Sequence, residues 1–249
     1  MSQTKRVEGQ AAYILHRRPF RDSSQILDLF SRDHGRVSVV ARGSRGARSK
    51  LKGVLRPFMR LNVGWVQRTD LGTLTGAEVG GAPLSLAGDA LLSGYYVNEL
   101  LLNFLHRHDE QPDIFELYAS TIHALAADSS LTAVLRNFEM ELLGAVGYAL
   151  ITDVDTTQHQ PLRADQHYEY RFEAGPVAVQ RSEGALVFSG ATLQAIGERQ
   201  FDQPAVLRSA NRLLREVIAF HLGGKELKSR KVLVDLHKAR MPTTNVEAS

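Results

Sequence analysis

The sequence contains no cysteine, which excludes disulfides, a catalytic thiol and any thiolate zinc cage. It has no apolar run of membrane-spanning length, because charge or glycine interrupts its most apolar stretches. Its opening residues, Met1-Ser2-Gln3-Thr4-Lys5-Arg6-Val7-Glu8, lack the apolar core of a secretory signal, so a cytoplasmic protein is expected. A further absence is local. Between His34 and Thr69 there is no Asp or Glu, yet nine Lys/Arg fall there, leaving 21 Lys/Arg against 27 acids elsewhere. The overall charge of +3 therefore comes from one early basic module on an otherwise acidic chain. Such concentration favours a polyanion-binding face. A solvated basic loop would have the same composition.

That module centres on residues 35–53. Val37 to Ala41 reads as a strand of β-branched residues suited to a buried pleat. Its continuation carries Arg42, Arg45, Arg48, Lys50 and Lys52 between Gly and Ser, so the long cations can fan along a phosphate backbone. Arg36 and Arg56 flank the run and complete the first candidate DNA-binding set. A second set, Lys225, Lys228, Arg230 and Lys231, follows the helix stop at Gly223-Gly224.

The pattern around the first set is one of short strands. Ala11–His16, Gln25–Phe30, Val37–Ala41, Phe58–Val66 and Gly72–Val79 give five within about 70 residues, which suggests an OB-fold barrel. Phe20, Phe30, Phe58 and Trp65 are candidate base-stacking platforms, with core packing the more expected role. Gly80-Gly81-Ala82-Pro83 marks a boundary. Beyond it, helical periodicity takes over in Ala90–Leu105, in Phe115/Tyr118/Ile122/Leu125 after Pro112, in Leu135/Phe138/Leu142/Val146, and in Ala205–Leu222. Tyr168, Tyr170 and Phe172, the turn at Gly175-Pro176 and Val177–Val179 read as a hairpin, with Leu186–Phe188 a further strand. The expected class is α+β: an OB-fold over 1–80, then a helical domain over 84–249 with a hairpin insertion around 165–190 and a basic C-terminal segment.

Other chemistries fit poorly. Gly43-Ser44-Arg45-Gly46 has the residue types of a KH clamp but follows a strand instead of joining two helices. Lys50 lacks the glycine and hydroxyl spacing of a P-loop. His106, His108, Asp109 and Glu110 could ligate a metal, although a solvated helix end explains them more simply. Asp153 and Asp155 could hold a divalent cation, so a nuclease or other phosphoryl-transfer enzyme stays open beside a non-catalytic DNA-binding protein.

Several blocks together resemble the RecO family of recombination mediators: Phe20-Arg21-Asp22-Ser23-Ser24-Gln25 to Phe30, Gly35-Arg36-Val37, Ala41-Arg42-Gly43, and Leu51-Lys52-Gly53-Val54-Leu55-Arg56-Pro57-Phe58. Tyr96-Val97-Asn98-Glu99-Leu100-Leu101, Arg136-Asn137-Phe138-Glu139 and Leu222-Gly223-Gly224-Lys225-Glu226-Leu227-Lys228 agree in order. The resemblance implies single-stranded DNA binding, strand annealing, the partner RecR, contact with the acidic C-terminal tail of SSB, and, indirectly, loading of the RecA recombinase. It implies a cytoplasmic, nucleoid-associated protein with no membrane contact and no cofactor. Many members carry a four-cysteine zinc module that this chain lacks entirely, so no metal is expected. For the tail, a pocket needs an apolar wall beside an Arg fork. Arg136, next to Leu135 and Phe138, is the expected reader, with Arg107, Arg212 and Arg215 behind it. Pairing of Arg136 with a Glu on its own helix is the competing expectation.

Overall fold

The computed structural model describes residues 4–127 and 130–232. Met1–Gln3 of the polar opening and residues 233–249 of the expected 84–249 domain lie outside the described residues. No helix among the described residues is long and apolar enough to cross a membrane.

Five strands, β1 (Lys5–Phe20), β2 (Ser24–Ser31), β3 (Gly35–Ala41), β4 (Leu61–Gln67) and β5 (Leu71–Val79), close into a barrel of order β1-β2-β3-β5-β4. All pairings are antiparallel except β3 with β5, which run parallel. This is the OB-like arrangement expected. The first strand is far longer than its apolar run, Ala11–His16. Its N-terminal half pairs with β4 and its C-terminal half with β2, with a register shift in each half. A strand whose outer face meets water needs no apolar residues there, so Lys5–Gln10 and Arg17–Phe20 carry no strand signal in composition.

Val7, Ile14, Leu27, Leu29, Val37, Val39, Leu61, Val63 and Trp65 fill the barrel. Trp65 is therefore core, not a stacking platform. Phe30 and Phe58 are also buried, against the helices. Of the four proposed platforms only Phe20 is partly accessible, and the Arg21 guanidinium lies over its ring at 5.2 Å.

The helical part comprises α1 (Gly88–Phe104), α2 (Pro112–Ala126), α3 (Leu131–Ala145), α4 (Gly190–Gly197) and α5 (Pro204–His221). Pro112 opens α2 at the position where its missing N–H costs nothing. Between α3 and α4 lie a two-residue ladder, β6 (Val154–Asp155) with β7 (Gln160–Pro161), and a sheet of β8 (His167–Arg171), β9 (Gly175–Val179) and β10 (Val187–Ser189) in the order β10-β8-β9. The expected hairpin is β8–β9. The ladder occupies a stretch that reads as loop, and α4 has no counterpart in the sequence reading.

Beside the core inside the barrel, a second apolar core joins Tyr13, Leu15, Phe30 and Phe58 of the barrel to the helices. Tyr13 lies 5.3 Å from Phe115 and 4.8 Å from Tyr118, ring centre to ring centre, and Phe30 lies 5.5 Å from Phe115. Such tilted and edge contacts add about 0.5–1.5 kcal/mol each beyond area burial. A polar link runs beside them: Asn98 Nδ2 donates to Leu15 O at 2.9 Å and Tyr118 Oη donates to Asn98 Oδ1 at 2.8 Å. At Gly94 of α1 a Cβ would sit 2.7 Å from Leu86 Cδ1 and 2.8 Å from Phe58 Cε1, so glycine permits the close approach of helix to barrel.

Candidate nucleic-acid interface

The segment between β3 and β4 is polar but tightly tied. Ser44 is buried and its Oγ donates to Ala41 O at 2.8 Å; Arg45 N donates to Ser23 O at 2.8 Å. Successive turns, Gly46 N to Gly43 O and Ser49 N to Gly46 O, lead into a 3-10 turn at Lys50–Lys52, and Leu55 plugs the barrel. With Ser44 and Leu55 pinned inside, Arg42, Arg45, Arg48, Lys50, Lys52 and Arg56 all remain exposed. Among the described residues none of the six forms a salt bridge with an acid.

The fold adds cations that the sequence reading missed. A cavity of about 340 Å³ is lined by Arg17, Arg18, Arg45 and Lys52, with Gln25, Ser44 and Leu55. Arg17 and Arg18 belong to the outward-facing end of β1, and only the β1–β2 pairing brings them beside the loop. The His16-Arg17-Arg18 triplet next to an apolar run was the available signal.

Arg36 leaves the set. Its Nη1 donates to Leu102 O at 2.7 Å and Leu105 O at 2.6 Å, at the C-terminus of α1. Burial, with Arg107 nearby, pushes its pKa down, while Asp28 opposes the shift. Arg36 is thus a clamp between barrel and helix. The adjoining Gly35 has a φ of +58°, and a Cβ there would meet Asp109 O at 1.9 Å.

The second basic set divides. Residues 225–232 form a strap across α1. Lys225, Lys228 and Lys231 are exposed on it, and Lys225 Nζ donates to Asn103 Oδ1 at 2.6 Å. Lys225 and Lys228 line a trough of about 530 Å³ together with Leu15 and His16 of β1, immediately before Arg17 and Arg18. Arg230 instead turns into a smaller pocket of about 170 Å³ with Tyr96, Leu135, Arg136, Glu139, Asn211 and Arg215.

In that pocket Arg136, the expected reader of the tail, already has partners. Arg136 ion-pairs with Glu139 one turn along its own helix and donates to Asn211 Oδ1, so the competing expectation is the one realised. Glu139 is almost fully buried and also accepts from Tyr96 Oη at 2.6 Å, while its Oε2 has no partner. Burial pushes the Glu139 carboxyl up, against the pull of Arg136 and the hydrogen bonds from Tyr96 and Arg136. Leu135 and Arg215 line the pocket, but Phe138 is buried in the core. Arg107 lies elsewhere, 4.0 Å from Asp28 on the barrel. Arg212 is held by Val187 O at 3.0 Å, its guanidinium over the Phe188 ring at 4.4 Å. Among the described residues Arg230 forms no salt bridge, although the Glu139 carboxylate lies within its electrostatic reach.

Two models of the family, "Recombination protein O N terminal" and "Recombination protein O C terminal", match residues 5–82 and 86–231. The chain belongs to the RecO family. It is 41% identical over 243 residues to the DNA repair protein RecO of Dechloromonas aromatica, covering 96% of this chain and 100% of that one. The RecO of Methylococcus capsulatus is 41% identical over 221 residues, 89% of this chain and 90% of that one. That of Coxiella burnetii is 40% identical over 230 residues, 92% and 99% respectively.

The metal-dependent alternative has little geometry in this RecO chain. The Asp155 carboxylate accepts from Thr157 N, Thr157 Oγ1, Gln158 N and Ala178 N, closing the turn between β6 and β7. Burial would raise its pKa, but these bonds outweigh it and hold the group below its ordinary value. Asp153 is exposed, with its backbone carbonyl accepting from Leu162 N. Among the described residues no three His, Asp or Glu come together as metal ligands, the His106–Glu110 run included.

Proposed function

We propose that this RecO-family protein acts in DNA repair as a non-catalytic recombination mediator that grips single-stranded DNA on the basic face of its barrel. The observation that carries the reading is the cluster of Arg17, Arg18, Arg45 and Lys52 around one cavity, continued by Arg42, Arg48, Lys50 and Arg56, none of them in a salt bridge among the described residues. Phosphate contacts of this kind fix a strand without reading its sequence. With most candidate aromatics buried, affinity is dominated by charge, which suits annealing: bases stay free to find a complement.

The 225–232 strap extends this face through Lys225, Lys228 and Lys231. The pocket around Leu135, Arg215 and Arg230 receives the acidic tail of SSB, its terminal carboxylate on Arg230. RecR and, through it, RecA loading complete the role in the cytoplasm beside the nucleoid.

The test is a salt titration of a labelled oligonucleotide. Changing Arg42, Arg45, Arg48, Lys50 and Lys52 together to Ala weakens binding and flattens the logarithmic salt dependence by about 0.7 per lost single-strand phosphate contact. A folded quintuple variant with the wild-type slope removes this face from DNA binding. Cleavage of the oligonucleotide in Mg²⁺ would favour the nuclease reading instead.

A further inference from the structure

The strap that carries Arg230 has little apolar anchorage of its own. Leu227 is its one residue in the core, and the segment follows two glycines. Besides the Lys225–Asn103 bond, what holds its backbone is Glu99, in the middle of α1. One carboxylate oxygen accepts from Lys228 N at 3.0 Å; the other accepts from Ser229 N at 2.9 Å and Ser229 Oγ at 2.6 Å. Three donors at the start of the helical residues 228–232 thus converge on one side chain more than a hundred positions away. A capping group normally comes from the helix's own flank; here it comes from a neighbouring helix.

Arg230 is the next residue after Ser229. Its half-buried guanidinium sits in the field of Tyr96, Arg215, Glu139 and Arg136, and burial is the chief influence that lowers its pKa. With Arg136 committed to Glu139 and Asn211, the pocket depends on the strap for the arginine that forms no salt bridge among the described residues.

We propose that Glu99 is a positioning residue for the anion pocket: its carboxylate latches the 225–232 strap, and only the latched strap holds Arg230 where an incoming peptide carboxylate can pair with it. The proposal rests on the reading of the pocket as the receptor for an acidic tail, and deepens it. Burial pushes the Glu99 carboxyl up, but the bonds from Ser229 and Lys228 and the charge of Lys225 prevail and hold it below its ordinary value, so the latch is ionised at neutral pH. Such charge-assisted bonds are stronger than neutral ones.

The experiment is a double-mutant cycle on the full chain. Affinity for a fluorescently labelled SSB-tail peptide is measured by anisotropy for the wild type, Glu99→Ala, Arg230→Ala and the double variant, with amide exchange of Lys228 and Ser229 followed in parallel. Arg230→Ala weakens the peptide by about tenfold or more, as expected when one partner of a buried charge pair is truncated. Glu99→Ala speeds exchange at both amides and weakens the peptide comparably, and the double variant is no weaker than Arg230→Ala alone. Glu99→Gln, which keeps an acceptor oxygen, recovers part of the affinity. A purely structural loss would instead multiply with the Arg230 effect, and multiplying penalties overturn the latch. So does a Glu99→Ala protein that binds the peptide like wild type while its strap amides exchange faster. A wild type that ignores the peptide fails the pocket reading itself and takes the proposal with it.

Discussion

The guanidinium of Arg36 donates to the main-chain oxygen of Leu105 at 2.6 Å, across the junction of barrel and helices. The same nitrogen reaches Leu102 O, and His108 N returns a bond to Arg36 O at 3.0 Å. Arginine here caps α1, offering charge and donors where helix carbonyls lack partners.

Arg36→Ala is therefore expected to cost about 2–3 kcal/mol of stability, in line with hydrogen bonds to a charged group, measured by urea unfolding. Its salt dependence of DNA binding stays that of the wild type. A flattened slope with unchanged stability would return Arg36 to the DNA-binding set.

At Gly94, helix propensity and packing oppose each other. Alanine gains up to about 1 kcal/mol as a helix former, yet its methyl would press on Leu86 and on the buried Phe58 ring at 2.7–2.9 Å. Overpacking of this kind costs about 1–3 kcal/mol. Gly94→Ala should be net destabilising by thermal unfolding, and a rise in melting temperature would show that the helix can retreat from the barrel.

Asp155 gives an acid-side prediction. Its folded pKa lies below the ordinary aspartate value of about 3.9. The group thus contributes stability that is complete above that value and is lost as pH falls through the folded pKa. Asp155→Asn should lower stability at neutral pH by about 1–2 kcal/mol and shrink the difference from wild type below roughly pH 4. Equal losses at pH 7 and pH 3 would mean that shape, not charge, closes the β6–β7 turn.

Removing the two candidate readers of the tail separates their roles. Arg230→Ala should weaken SSB-tail peptide binding with little change in melting temperature. Arg136→Ala should lower stability by about 3 kcal/mol or more, because it leaves the buried Glu139 unpaired. Thermal unfolding and peptide anisotropy on the same preparations decide between them. A stable Arg136→Ala protein that has lost the peptide would restore the original assignment.

The periodic parts of this fold were legible. The apolar stripes on α2, α3 and α5, the β8–β9 turn and the alternating strands each state their period locally. The ends of β1 were not, since Lys5–Gln10 and Arg17–Phe20 are strand only because partners lie on both sides. The helix α4 escaped because it spans eight residues, little more than two turns, so its apolar period barely repeats. Charge was legible as a cluster but not as a surface. Nothing in composition distinguishes Arg36, turned inward to α1, from Arg42, left outside, or Arg230 from Lys231 beside it. Arg17 and Arg18 required the strand pairing, and Glu99 required the return of the chain over α1.

The aromatic contact of Tyr13 and Phe30 with Phe115 and Tyr118 bears on how the molecule can be dissected. A barrel cut away near residue 80 would present two large rings, together with Leu15 and Phe58, to water as one sticky face. The barrel is thus expected to lose solubility when cut from the helices, which comparing the solubility of the separated and joined chains would check. Chain melting should follow one cooperative transition, and any partner that pries the halves apart must itself supply an apolar cover.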